Sequence, residues 1–492
     1  MSDKKIKVLY ASAEADPLAV CGGLGDVAGA LPRALCSLGA DVRVVMPMYT
    51  AIDRRIIGQA EKLTEFTVPL SWRRQQCAVY TLTYGGVFFY LIDNKYYFDR
   101  RTVYGCYDDG ERFAFFSRAL VEMIAHIDFE PDILHTNDWH SAAACVYLKK
   151  MCCSTRRYSG IRCVHTVHNA EYQGIFGGQT LDDVFGLESA ADVLMQDGCV
   201  NLTRGAALCC DRLTCVSQSG RSELLTDEGG AGLGAVFRAC EDKLYGISNG
   251  IDSESFNPAT DAELPCRYDA SDPGGKFCCK AELQRRLVLP GRCDVPMIAV
   301  ISRLTEQKGM TLLLEALPEL LEKDIQLVLL GTGDTEYEME FRDASFRCHD
   351  RLAAVIRFDR PLSRLIYAGA DILLMPSRSE QCGISQMIAS RYGTVPLVHS
   401  VGGLKDTVSR YDTDSGEGTG FAFEKFDSPA MLDELYRALK LFDYDRTAWN
   451  SLVSRIMKRD FSWDASAKKY LALYRELTER SFLKRKYRKE KI

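Results

Sequence analysis

"PLAVCGGLGDVAG", residues 17–29, sits between an apolar run at 6–11 and a stretch of helical character around 30–36. A strand, a glycine-rich turn and a helix in that order form the opening unit of a doubly wound α/β domain. Unpaired amides at such a turn, together with the helix dipole, suit a phosphate. The loop itself contains neither lysine nor arginine. Any anion held there needs its neutralising charge from elsewhere in the chain.

The same alternation continues outward. Short β-type runs fall at 42–46, 87–92, 133–135, 163–167 and 213–216, then at 297–301, 326–330, 354–356, 372–375 and 396–398, separated by helical stretches. Near-continuous apolar strands of this kind predict parallel sheets covered on both faces. The turn-rich segment "SNGIDSESFNPATDAELPCRYDASDPGG" interrupts the pattern. The reading is a first domain over 1–250, a linker over 251–275, a second domain over 276–460, a helix over 461–480 and a basic tail over 481–492.

Composition narrows the function. The chain has 492 residues, 47% of them hydrophobic and 26% charged, and its net charge is −6. Two or three globular domains are expected, and the acidic balance argues against a nucleic-acid partner. No apolar run reaches the ~20 residues of a membrane span, and the polar start "MSDKK" lacks a signal-type apolar region. The expectation is a cytoplasmic protein without a membrane partner. Its nineteen cysteines are then reduced thiols, mostly small core residues, and adjacent pairs such as Cys152-Cys153 lack zinc-type spacing. No metal site is expected.

Polar motifs follow the strands: "HTNDWH" at 135–140, "HTVHNAEYQG" at 165–174, "SRLTEQKG" at 302–309, "GTGD" at 331–334 and "PSRSEQCGISQ" at 376–386. The carboxyl ends of parallel strands are where doubly wound domains bind ligands. Arg303 and Lys308, five residues apart on one turn, can converge on a diphosphate as a planar fork and a point charge. A surface ion pair is the alternative use of those two residues. Glu380 precedes Gln381-Cys382-Gly383, where a helix is expected to begin; a carboxylate there either complements the helix dipole or holds sugar hydroxyls. Gly22-Gly23-Leu24-Gly25-Asp26 is echoed by Gly402-Gly403-Leu404-Lys405-Asp406, either as duplicated phosphate-facing loops or as two unrelated helix starts.

In this order, with "SNGID" and "VGGLKDTV" added, the motifs resemble bacterial-type glycogen (starch) synthase, a retaining glucosyltransferase of the GT-B architecture, from about residue 7 to about residue 474. The resemblance implies two Rossmann-like domains facing a central cleft and no metal or other cofactor. It also implies glucose transfer from ADP-glucose, or UDP-glucose, to the non-reducing end of an α-1,4-glucan such as glycogen. By the same resemblance Arg303 and Lys308 bind the diphosphate, while Glu380 and His168 lie at the donor sugar and Asp138 near sugar and acceptor. Gly22, Gly23, Asn169, Asn249, Gly331, Cys382, Gly383, Gly402, Gly403 and Leu404 are candidates for donor or sugar contacts. Phe358 either stacks on the adenine or is a core residue. The 461–480 helix is expected to return to the first domain.

Two departures stand out. Val20 occupies a position where the family has a lysine assigned to the donor phosphate, and Ser379 and Gln381 stand where phenylalanine and proline are common. Two rivals remain: a nicotinamide-dependent oxidoreductase, from Gly23 to Ala28 as G-x-G-x-x-A, and a catalytically silent paralogue that binds glucan or nucleotide sugar. The first leaves the other motifs without a role.

Overall fold

The computed structural model describes residues 5–100 and 102–489, with side chains described as far as 479. It divides into two compact units, one running to Asn249 and resuming at Trp463, the other Gly250–Ser462. Among the described residues, no helix is long and apolar enough to cross a membrane.

The first unit is built on β1 (Lys7–Ala11), β2 (Asp41–Pro47), β3 (Glu61–Leu70), β4 (Arg73–Tyr84), β5 (Val87–Asp93), β6 (Ile133–Asn137) and β7 (Arg162–Val167). Three short strands come next, β8 (Ile175–Gly177), β9 (Met195–Gln196) and β10 (Cys199–Asn201), forming a sheet of their own. With β11 (Arg212–Cys215) and β12 (Leu244–Gly246), the main sheet has the order β12-β11-β7-β6-β1-β2-β5-β4-β3. Seven strands run parallel, but β4 pairs antiparallel with both β5 and β3. The all-parallel expectation fails at this edge. The hairpin's alternating exposure is that of a sheet with one solvated face, a pattern a search for continuous apolar runs passes over.

The second unit contains β13 (Met297–Ile301), β14 (Gln326–Gly331), β15 (Leu352–Ile356), β16 (Ile372–Met375), β17 (Val395–His399) and β18 (Phe421–Phe423). They form one parallel sheet in the order β15-β14-β13-β16-β17-β18, the doubly wound arrangement that reverses direction between β13 and β16. In the first unit the corresponding reversal lies between β1 and β6.

The segment read as a linker, 251–275, is folded into the second unit. Leu264 and Tyr268 are buried, and the Tyr268 hydroxyl donates to the Tyr392 carbonyl (2.8 Å). Asp261 accepts from Arg364 (3.0 Å) and from the Tyr392 hydroxyl (2.5 Å). Turn-forming composition masks these few anchors. The final helix, Trp463–Lys489, packs in the first unit: the Tyr474 hydroxyl meets His135 Nδ1 (2.6 Å) and Glu476 pairs with Arg212 (2.8 Å). Of the basic tail, 490–492 lie outside the described residues.

The thiol expectation needs one correction, because Cys266 and Cys278 form a disulfide, with Cα atoms 6.0 Å apart. The other seventeen cysteines lie outside that disulfide, and eight of them are buried.

Candidate functional site

In the second unit the switch point gathers three of the expected residues. Arg303 and Lys308 lie on the turn after β13, and Glu380 on the loop after β16. Lys308 Nζ donates to Glu380 Oε2 (2.5 Å), with both side chains largely withdrawn from water at 18% and 13% exposure. Arg303 is more open to water and, among the described residues, reaches Gln307 Oε1 at 3.4 Å. A paired lysine held in place and a loosely held guanidinium therefore share one turn at the strand ends. The two loops are also tied by Gln307, whose carbonyl accepts from the Arg378 amide (2.9 Å) and whose side chain donates to Ser379 Oγ (3.3 Å). Ser379, a departure from the family pattern, thus makes a polar cross-link.

Glycines allow this closeness. A Cβ on Gly309 (φ +74°) would lie 1.9 Å from the Pro376 carbonyl oxygen, and one on Gly403 would lie 2.2 Å from that of Cys382. Gly331 similarly lets β14 end 1.9 Å from the Ser302 carbonyl, measured from its absent Cβ. The Gly403 amide donates to the Glu380 carbonyl (3.0 Å), so the Gly402–Thr407 turn lies directly against the 380–383 loop. Two expectations change here. The helix after Glu380 starts only at Ser385, because Gly383 adopts φ +69° and breaks regular geometry. Leu404 is fully buried, packed under Gly383, so its side chain is core and only its backbone can face a ligand. Cys382 is buried as well. Phe358 lies past the end of β15 and is 80% exposed, which removes the core alternative.

In the first unit Asp138 follows β6 and His168 follows β7. Asp138 has φ +51°, an uncommon conformation for a residue with a side chain, and its Oδ1 accepts the His168 amide (2.7 Å). Burial pushes the Asp138 carboxyl up to about 7, against the opposing hydrogen bonds of the His168 and Asn169 amides. Burial also pushes His168 down to about 3, so the ring is neutral. Its tautomer is set by a neighbour that sequence reading misses. Asn137 Nδ2 donates to the Ala11 carbonyl (2.9 Å), which makes Oδ1 the acceptor for both the Tyr10 hydroxyl (3.0 Å) and His168 Nε2 (2.9 Å). His168 therefore carries its proton on Nε2, leaving Nδ1 as an acceptor. Asn249 is buried, and its amide oxygen has no hydrogen-bond partner among the described residues.

The glycine loop differs from expectation. Glu14, buried after β1, takes the Cys21 amide and, at 3.2 Å, the Gly22 amide on one carboxylate oxygen, so those amides are occupied within the protein. Burial raises the Glu14 carboxyl to about 7 despite these bonds. Gly23 begins the helix Gly23–Ser37, and Val20 packs against it: its Cγ1 lies 3.0 Å from where a Cβ on Gly25 would sit. The signal for Glu14 in the sequence is an acid three residues past a strand, which a search of the loop for cations passes over.

Among the described residues, one group, Cys106 with Asp108 and Asp109, brings three potential metal-ligand atoms within 4.8 Å of one another. Arg100 and Arg112 already pair with its two carboxylates.

The family described as "Starch synthase catalytic domain" matches residues 7–239, and "Glycosyl transferases group 1" matches 290–447. A glycogen synthase of Streptococcus sanguinis is 46% identical over 475 residues, 96% of this chain and 100% of that protein. One from Clostridium novyi is 43% identical, covering 95% and 98%. Among solved structures, the catalytic domain of starch synthase IV from Arabidopsis thaliana, bound to ADP and acarbose, superposes with a TM-score of 0.90. It is 32% identical, with 96% of this chain and 100% of that chain covered. A sucrose-phosphate synthase from Thermosynechococcus elongatus shares the fold at a TM-score of 0.63 and 18% identity, covering 96% and 99%.

Proposed function

The chain belongs to the glycogen and starch synthase family of GT-B glycosyltransferases, and on that premise we propose that it transfers glucose from ADP-glucose to the non-reducing end of an α-1,4-glucan. Donor class and acceptor class come from the family; the choice of ADP-glucose is supported by the ADP held by the similar plant enzyme. The observation that carries the residue assignment is the Lys308–Glu380 pair across the β13/β16 switch point, with Arg303 on the same turn.

In the proposed reaction the bond between the glucosyl anomeric carbon and the diphosphate breaks, and one to the acceptor 4-oxygen forms on the same face. The acceptor proton passes to the departing phosphate oxygen. Arg303 and Lys308 take up the charge that develops on the diphosphate, which in this proposal needs no divalent metal. Glu380 holds Lys308 in position and offers its second oxygen to sugar hydroxyls. Within the first unit, His168 Nδ1 is assigned to accept a sugar hydroxyl, and Asp138, ionised above about pH 7, to supply negative charge beside it. A cytoplasmic setting is part of the proposal, supported by seventeen of the nineteen cysteines lying outside the Cys266–Cys278 disulfide.

The test is incubation with ADP-glucose or UDP-glucose, with and without glycogen, monitoring nucleoside diphosphate release. Acceptor-dependent release from ADP-glucose, undiminished by EDTA, is the expected result. Preference for UDP-glucose would overturn the donor assignment. Loss of turnover in EDTA that added Mg²⁺ restores would overturn the metal-free account.

A further inference from the structure

β17 ends in a histidine that the proposed reaction leaves without a role. His399 is buried, with the loops after β16 and β18 on either side of its ring. Its Nδ1 lies 2.8 Å from the Ser377 carbonyl oxygen and its Nε2 lies 3.2 Å from the Glu424 carbonyl oxygen. A carbonyl only accepts, so each ring nitrogen must donate for both bonds to form. Neutral imidazole has a single N–H, and it sets the lone pair of its other nitrogen against an oxygen. Turning the ring over would place carbon atoms against both carbonyls and forfeit both bonds. Imidazolium alone satisfies the geometry.

The neighbouring rings agree with that state. Phe423 stacks on His399 with centroids 5.2 Å apart and planes at 26°, and Phe426 lies 5.3 Å away at 52°. Aromatic faces attract a cation, so two carbonyl oxygens and two rings together make a cage for one. A buried charge is tolerated where hydrogen bonds replace those of water. On the surrounding elements, Arg378 pairs with Glu306 (3.1 Å) and lies 5.1 Å from the Phe426 ring, Glu380 pairs with Lys308, and Lys425 pairs with Asp427. Glu424, Lys405 and Asp406 are exposed. The carboxylates in this set favour a second proton on the ring and the cations oppose it.

The cage lies directly behind the Lys308–Glu380 pair. The Ser377 hydroxyl donates to Glu380 Oε2 (3.4 Å), the same oxygen that Lys308 holds, and Ser377 is itself buried. Through the Ser377 backbone, His399 therefore fastens the loop carrying Glu380 to the loop after β18. We propose that His399 is a positioning residue for the transfer reaction, that it works as a buried imidazolium, and that loss of its second proton breaks this bridge between the two loops. The inference rests on the reading of Lys308 and Glu380 as donor-site residues. A neutral ring can donate to one carbonyl only, so one loop is let go.

The experiment reads protonation and rate on the full chain. Labelling histidine with ¹⁵N gives seven side chains to observe, and His399 is assigned as the signal lost in His399→Gln, a variant that keeps one donor and cannot become a cation. Wild-type His399 is expected to carry N–H protons on both ring nitrogens at pH 7, and kcat/KM for the nucleotide sugar to fall at alkaline pH as the second proton leaves. His399→Gln is expected to lie about three- to tenfold below wild type at pH 7, the span of one hydrogen bond, and to lack the alkaline limb. Phe426→Leu removes one wall of the cage but keeps the histidine, so the loss of the second proton and the alkaline limb should move together to lower pH by about half a unit. A single neutral tautomer at pH 7 overturns the cation. An alkaline limb that survives in His399→Gln, or one that stays in place in Phe426→Leu while the proton signal moves, overturns the positioning role. So does a lowered Tm in His399→Gln with wild-type kcat/KM at every pH. A wild type that shows both N–H protons yet transfers no glucose from either nucleotide sugar would instead overturn the reaction reading.

Discussion

Lys308 and Arg303 have the same proposed duty but different surroundings, and that difference separates their variants. Arg303 is exposed and, among the described residues, makes one long contact, so Arg303→Ala is expected to cut kcat/KM about ten- to hundredfold, from one lost charge-assisted contact of about 1.5–3 kcal/mol, without moving Tm. Lys308→Ala loses as much activity but also leaves Glu380 without its partner in a largely buried position, adding a stability loss of about 1–3 kcal/mol. Thermal melts beside initial rates distinguish them; equal melting temperatures for the two variants would contradict the pairing. Val20 is the other informative residue. Its Cγ1 and Glu14 Oε2 lie 3.0 and 3.2 Å from the same point beside Gly25, so Glu14 competes for a lysine at 20 with any anionic ligand the proposal brings to the loop. With the Glu14 carboxyl near 7, it is largely neutral below that pH and no longer competes. Val20→Lys is expected to raise kcat/KM up to about tenfold, with the variant-to-wild-type ratio larger at pH 6 than at pH 8. A ratio of one throughout would remove the missing-contact account.

At the scale of elements, close loop approach is what brings the second unit's residues together. Gly309 ends the turn carrying Lys308, at φ +74° and against the Pro376 carbonyl, so Gly309→Ala must both adopt a strained backbone and push the β16 loop away. It is expected to destabilise by more than about 2 kcal/mol and to abolish transfer, whereas Gly291→Ala, with open space around it, leaves both unchanged. Circular dichroism melts of the pair provide the check. A Gly309→Ala protein with normal Tm would mean that the two loops can part freely.

For the molecule as a whole, pH acts through buried histidines concentrated in the first unit. Burial drives His140, His165 and His168 down to about 3, and His135 also well below its ordinary value. Each binds fewer protons folded than unfolded between those values and about 6.5, so each removes stability as pH falls through that window. Glu14 and Asp138, raised to about 7, act oppositely, since the folded state holds their protons more tightly from about 7 down to the ordinary carboxylate range near 4. Four groups outweigh two, and the offset is exhausted below about pH 4. The Tm is therefore expected to decline between pH 6.5 and 4.5 and to fall more steeply below 4. Calorimetry across that range tests it, and a Tm independent of pH down to 3.5 would contradict it.

The positions of the parallel strands along the chain and the location of polar motifs at their carboxyl ends were legible in the sequence, because buried parallel strands are nearly uniform apolar runs and the loops after them are punctuated by glycine and charge. Asp138, His168, Arg303, Lys308 and Glu380 were all visible in that way. Partnership was not legible. That Lys308 meets Glu380 across 72 residues, that Glu14 occupies the amides of the glycine loop, and that Asn137 sets the His168 tautomer are consequences of strand order. The β3–β4 hairpin and the anchored segment 251–275 escaped for the same reason, since their amphipathic or sparse apolar residues acquire meaning only against the surfaces they cover. Local pattern determined which residues stand at strand ends. Only the tertiary structure decided which of them touch, because hydrogen-bond geometry and desolvation depend on neighbours that the chain brings from far away.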